Sequence, residues 1–221
     1  MPQLITPLDD IFAAASRVRL LRLLISDHHV VSARAAARLV GMSPPAILQA
    51  AEELVGLGLA LREEGGHQIR LRANEDHVLF QLLRNLFAAE DLWPVTLFNS
   101  IREELVPVEV VAACVFGSMA RGEDQPGSDF DLLVLVEAAD DAMMVRDRLA
   151  EHAPSWRARF GINVSPVVIA VDRARTSYAA GNSLLIEAAR DARMIIGAVP
   201  LAEILAGATS GAGARVRKLE A

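Results

Sequence analysis

The chain is almost without lysine. Lys218 is the only one, so its basic charge is carried by arginine, an arginine and alanine bias read first as genome composition. Against 22 Lys and Arg stand 28 Asp and Glu, a formal net charge of -6, which excludes a global basic field that would recruit nucleic acid. Any such binding must come from a local patch. Cysteine is nearly absent too: Cys114 stands alone inside the apolar run Val110 to Phe116, which excludes an intrachain disulfide and predicts a buried, reduced thiol. No uncharged apolar run approaches the roughly 20 residues of a membrane span. Met1 to Asp10 is acidic and lacks the basic, apolar, small-residue progression of a signal peptide, so a cytoplasmic location and no membrane partner are expected. The five histidines make no metal-ligand spacing with carboxylates or Cys114. Aromatic residues are only 5% of the chain, and Trp93 and Trp156, with no basic cluster beside them, read as core or interface fillers rather than base-stacking platforms.

What is present suits a folded protein. Hydrophobic residues are 52% and charged residues 23%, and 221 residues suffice for one large domain or two modest ones. Thr6-Pro7 reads as a helix start, followed by apolar residues at helical spacing from Ile11 to Ile25, with a break near Ser16 and a turn at Asp27-His28-His29. Ser32 can cap a short helix to Val40, ended by Gly41. Ser43-Pro44 starts another, with Ile47, Leu48, Ala51, Leu54 and Val55 on its apolar stripe and Gly58 as its stop. Leu59 to Arg72 reads as a β-hairpin turning at Glu64-Gly65-Gly66. Two helical patterns follow, Glu75 to Glu90 and Pro94 to Leu105. Beyond Pro107 the pattern changes to strands at 110–116, 130–136 and 162–171 alternating with helices, the order of an α/β domain. Met194 to Ile196 is a last apolar run. The Gly-, Ala- and Ser-rich end from Gly207 reads as a disordered tail.

The chemistry concentrates in Phe116-Gly117-Ser118-Met119-Ala120-Arg121-Gly122 and Ser128-Asp129-Phe130-Asp131-Leu132-Leu133-Val134. A strand ends at Gly117, where the missing side chain lets backbone approach a ligand. Ser118 adds a hydroxyl where free N–H groups favour an anion, and Arg121, one turn on, can reach a phosphate. Asp129 and Asp131, two apart on a strand, point to one face, while Phe130 and Leu132 point into a core. Two adjacent carboxylates repel unless a cation lies between them. Magnesium or manganese, bridging carboxylates and nucleotide phosphates, is the expected occupant.

These two segments resemble the signature of the DNA polymerase beta nucleotidyltransferase superfamily, and in particular the minimal nucleotidyltransferases with their Gly-Ser-x-Ala-Arg-Gly and Ser-Asp-x-Asp-Leu-Leu-Val. The resemblance implies transfer of a nucleoside monophosphate from NTP to a hydroxyl with two metals. It places Gly117, Ser118, Arg121 and Ser128 at the nucleotide and Asp129 and Asp131 at the metals. Such enzymes usually draw a third carboxylate from the next strand. Here that strand carries Asn163 or Ser165 at the position, and the nearest acid downstream is Asp172, at the strand's end. A partner implied by the same resemblance is a HEPN-type toxin.

The front of the chain more loosely resembles MarR- and ArsR-like winged helix-turn-helix regulators. The expected organisation is a two-domain α+β and α/β chain. It has a winged helix at 1–73, a helical linker at 74–107, and a polymerase-beta-like domain with a small mixed sheet at 108–206. The tail covers 207–221. In such a winged helix the segment starting at Ser43 enters the major groove of double-stranded DNA, with Gln49 facing a base edge. Arg34, Arg38, Arg70 and Arg72 can reach phosphates. A homodimer is expected because such regulators read paired half-sites.

Three readings follow. One is a magnesium-dependent transferase of NMP, AMP foremost, to a protein or small-molecule hydroxyl, antitoxin-like in role. The other is a winged-helix transcriptional regulator whose nucleotidyltransferase domain is a weak nucleotide-sensing or structural module. A third is an interaction module with neither activity.

Overall fold

The computed structural model describes residues 7–26, 30–65, 68–123 and 128–207. The expected Thr6 cap, the turn at 27–29 and the tail beyond 207 lie outside these residues. The chain divides into two compact units, 1–93 and 94–221.

The first unit runs α1 (Pro7–Phe12), α2 (Ala15–Ser26), β1 (Val31–Ser32), α3 (Ala33–Leu39), α4 (Pro44–Gly56), β2 (Ala60–Gly65) and β3 (Gln68–Ala73). The break between α1 and α2 falls at Ala13 and Ala14, two residues earlier than the sequence pattern predicts. Ser32 caps α3 by accepting the Ala35 N–H at 3.3 Å. Proline at the start of α4 costs no hydrogen bond there, since the first N–H groups have no helical partner. The stripe Ile47, Ala50, Ala51 and Leu54 faces the core, and Leu48, expected on it, is instead exposed. The three strands form an antiparallel sheet in the order β1-β3-β2. The hairpin strands pair out to Gly65 and Gln68, beyond the expected turn at 64–66.

α5 (Phe80–Leu105) spans the division between the units. The sequence pattern predicts two helices here because Pro94 interrupts it. Proline removes a single backbone donor and is accommodated within one helix, and the stretch expected as a linker is divided between the two units.

The second unit continues with β4 (Val110–Val115), α6 (Gly117–Arg121), β5 (Asp129–Val136), α7 (Ala139–Phe160), β6 (Asn163–Ala170), α8 (Val171–Ala179), α9 (Ser183–Asp191), β7 (Arg193–Ile196) and α10 (Leu201–Leu205). Its sheet has the order β6-β5-β4-β7, with β5 and β6 parallel and the other pairs antiparallel, a small mixed sheet. Pro166, which has no N–H to give the ladder, stands on the edge strand β6. The long apolar run of β5 is explained by its central place: Leu132 to Val136 are all buried. Cys114 on β4 is fully buried, and burial pushes its thiol up to about 12. Among the described residues no helix is long and apolar enough to cross a membrane.

Candidate functional site

β5 opens on two carboxylates. Asp129 and Asp131 leave the start of the strand on one face, the first exposed and the second half-buried. Phe130 between them turns the other way and is 1% exposed, meeting Phe98 edge to face with centroids 6.3 Å apart. The end of β4 lies beside this pair: the Phe116 N–H donates to the Asp131 carbonyl at 3.1 Å. Gly117, next in the chain, has φ 74, and a β-carbon there would lie 2.7 Å from Asp131 Oδ2. Left-handed backbone and a carboxylate at contact distance both require glycine at this point. The five-residue helix α6 then presents Ser118, half-buried, and closes on Gly122, also left-handed at φ 71. Ser128, half-buried, leads into β5.

The electrostatics of the pair are unfavourable as they stand. The carboxyl of Asp131 is pushed above its ordinary value, first by burial, then by the charge of Asp129, then by that of Glu187. Glu187 is a residue that sequence reasoning missed. It sits on α9 four residues before Asp191, so both acids share one helix face. Arg121 binds both, Asp191 at 2.7 Å and Glu187 at 3.2 Å, and adds Glu123 at 2.7 Å. Arg190 also pairs with Asp191, at 2.8 Å. The Asp191 carboxyl is held far below its ordinary value, by Arg190 first and Arg121 next. The i, i+4 spacing of the two acids was legible in the sequence, but nothing local ties α9 to an arginine 66 residues upstream.

Residues 96–168 match the nucleotidyltransferase domain family. The match runs from the second half of α5 to β6 and contains Gly117, Ser118, Arg121, Ser128, Asp129 and Asp131. None of the curated proteins matches the chain. A solved toxin-antitoxin crystal structure with AMP-PNP is similar at 16% identity over 46% of this chain and 73% of that one, with a TM-score of 0.31; a likeness of that size carries no argument.

Within the matched segment, strand register settles what stands beside each aspartate. Asn163 pairs with Asp129 and Ser165 with Asp131, so β6 offers an amide and a hydroxyl and no acid. The Asn163 side-chain oxygen accepts from Arg157. Asp172, placed at the strand's end by the sequence reading, lies instead in the first turn of α8, where it faces Arg175 at 3.5 Å. Among the described residues no three His, Cys, Asp or Glu side chains are grouped to hold a metal by themselves. Two protein carboxylates nevertheless fit magnesium, which ordinarily takes one or two of them and completes its shell with substrate phosphates and water.

The six residues named for DNA are all in the first unit. Ser43 is exposed at the start of α4, and Gln49 is exposed on it, donating to Glu53 at 3.2 Å. Arg34 and Arg38 are exposed on α3, and Arg70 is exposed on β3. Arg72 pairs with Glu63 at 2.8 Å, so its charge is locally balanced.

Proposed function

We propose that the nucleotidyltransferase domain binds an NTP, ATP foremost, with Mg2+ or Mn2+, and transfers its NMP to a hydroxyl of a protein or small molecule. The observation that carries this reading is the contact of Gly117 with the Asp131 carboxylate, which sets an open stretch of backbone beside a pair of carboxylates. In the reaction the acceptor oxygen bonds to the α-phosphorus, the bond from that phosphorus to the bridging oxygen breaks, pyrophosphate leaves, and the proton of the acceptor hydroxyl passes to solvent. Gly117 lets the triphosphate approach the backbone, and Ser118 and Ser128 offer hydroxyls to its oxygens. Asp129 and Asp131 would hold the cation, which polarises the α-phosphate and neutralises the leaving pyrophosphate. Arg121 holds α6 to α9 and so keeps Gly117 and Ser118 in place. It reaches a phosphate by exchanging a carboxylate, of which Glu187 at 3.2 Å is the longest held.

The test is label transfer from each α-labelled NTP, with Mg2+ or Mn2+ and host lysate, beside an Asp129→Asn/Asp131→Asn variant. Label on a protein, RNA or metabolite with the unmutated chain alone supports the reading. No transfer from any of the four nucleotides sinks it. An antitoxin role belongs to the same proposal, and a HEPN-type toxin recovered as the labelled acceptor would support it.

A second reading is favoured by Asn163 and Ser165 standing opposite the two aspartates. In it the first unit is a winged helix-turn-helix that binds double-stranded DNA through α4, with Arg34, Arg38, Arg70 and Arg72 near the phosphates, and the nucleotidyltransferase domain senses nucleotide. Its support is the order of helices, short strand and hairpin in the first unit. Anisotropy on genomic duplexes, with and without ATP and Mg2+, tests it. Absence of saltable, sequence-dependent binding would remove it.

A further inference from the structure

β5 and β6 lie side by side and parallel, and each is followed at once by a helix. β5 ends at Val136 and α7 opens at Ala139; β6 ends at Ala170 and α8 opens at Val171. Two helix N-termini therefore share one end of the sheet, the end beyond the carboxyl termini of the parallel strands where such sheets hold ligands. The residues before the helices, Ala138 and Ala170, have no side-chain acceptor, so neither helix start is capped. At this end lies a cavity of about 250 Å³. Ala142, Met143 and Arg146 of α7, Val168 and Ile169 of β6, and Arg173 of α8 line it, and Ala139 and Ala170 carry it to the helix starts. Its strand residues stand three to five places beyond Ser165, the partner of Asp131, or about 10–16 Å along the strand. It is a separate place from the carboxylate pair.

The two arginines distinguish this cavity from an ordinary surface hollow. Among the described residues neither is paired with a carboxylate, and Arg146 meets the Val168 carbonyl at 3.5 Å. Their neighbours differ: Arg148 holds Glu104 at 3.0 Å, and Arg175 faces Asp172 at 3.5 Å. The acids of the two helix starts, Asp140, Asp141 and Asp172, do not line the cavity. In a chain of net charge -6, two guanidiniums from different helices thus face one cavity without a protein counter-charge.

We propose that this cavity binds a small phosphomonoester. A single guanidinium fork satisfies a carboxylate, whereas two forks from different directions suit the three oxygens and double charge of a phosphate group. The free N–H groups of the helix starts favour the same anion. Met143, Val168, Ile169 and the alanines offer an apolar wall to the body that carries the phosphate. At about 250 Å³ the space is below the roughly 300–1,000 Å³ of sites that enclose drug-sized ligands, so that body is a single ring or a short chain.

The experiment titrates the full chain with phenyl phosphate and, separately, with inorganic phosphate, read by phosphorus NMR of the ligand. EDTA is present, so that no cation bridges phosphate to the aspartates. The unmutated chain should bind phenyl phosphate more tightly than inorganic phosphate. Arg146→Gln and Arg173→Gln should each weaken phenyl phosphate roughly tenfold or more, with unchanged circular dichroism, since both side chains are exposed. Asp129→Asn/Asp131→Asn should leave the affinity as it is, which separates this site from the nucleotidyl-transfer reading. Absence of binding at about 10 mM phenyl phosphate overturns the proposal. So does binding that survives loss of both guanidiniums, or inorganic phosphate binding as tightly as the ester.

Discussion

Gly117 and Asp131 are locked together: the glycine's Cα is so close to the carboxylate that a β-carbon would come within 2.7 Å of Oδ2. Gly117→Ala therefore meets two obstacles, the positive φ of 74 and the carboxylate itself. The expected loss is about 1–3 kcal/mol of stability, with nucleotide binding abolished because the backbone and Asp131 are pushed apart. Thermal unfolding and titration with a fluorescent ATP analogue measure the two effects separately. An alanine variant with full affinity would show that this approach is not used by the nucleotide.

Asp131→Asn should make the protein slightly more stable at neutral pH. The folded state raises this carboxyl, so its favourable contribution is complete below the ordinary value of 3.8 and is lost as pH rises through the raised one. At pH 7 the ionised group faces Asp129 and Glu187, and the amide removes that repulsion. The same variant should no longer gain thermal stability from Mn2+ with a non-hydrolysable ATP analogue, whereas the unmutated chain should. Melting curves in the presence and absence of that pair are the measurement.

Arg121→Met should flatten the acid side of the stability profile. Asp191 is held far below its ordinary value, so it contributes stability above pH 3.8 that disappears as pH falls through its folded value. Arg121 is the second cause of that depression, after Arg190. Melting temperatures from pH 6 to pH 2.5 should therefore fall more steeply for the unmutated chain, its advantage over the variant beginning to narrow below pH 3.8 without closing by pH 2.5. Parallel curves would mean that Arg121 does not hold Asp191 in solution.

Phe130→Ala removes the side chain that backs the carboxylate pair. A buried aromatic lost to alanine costs about 3–5 kcal/mol, and the edge contact with Phe98 goes with it. Leucine at the same position should restore most of the stability and leave Asp129 and Asp131 in register. Denaturant unfolding of the two variants checks the order.

The site's strand was legible because alternation is unambiguous there: Asp129 and Asp131 out, Phe130 in, on a strand whose remaining residues are all apolar. Gly117 was legible as a point of close approach, though the partner it approaches was not. Asn163 and Ser165 were legible only as alternatives for the position of a third acid, and the parallel register adds that Asn163 pairs with Asp129 and Ser165 with Asp131. Three other features were hidden for physical reasons. Leu48 fits the apolar period of α4 but falls outside the arc that the core covers. Pro94 reads as a helix boundary from one residue's chemistry, while the helix on both sides of it is held by tertiary packing. Glu187 and Asp191 meet Arg121 through a long-range helix contact, and no local pattern encodes such a meeting.

Cys114 gives the sheet a built-in clock. The thiol is sealed between β5 and β7 on a central strand, and at neutral pH almost none of it is ionised while it stays there. An alkylating reagent can modify it only during moments when the strand is exposed to solvent. The rate of that modification counts those openings, and because the chain has no other cysteine, the count needs no mutation to be read. Any ligand that settles on Gly117 and Asp131, at the adjoining ends of β4 and β5, should slow the clock by the factor with which it favours the closed state.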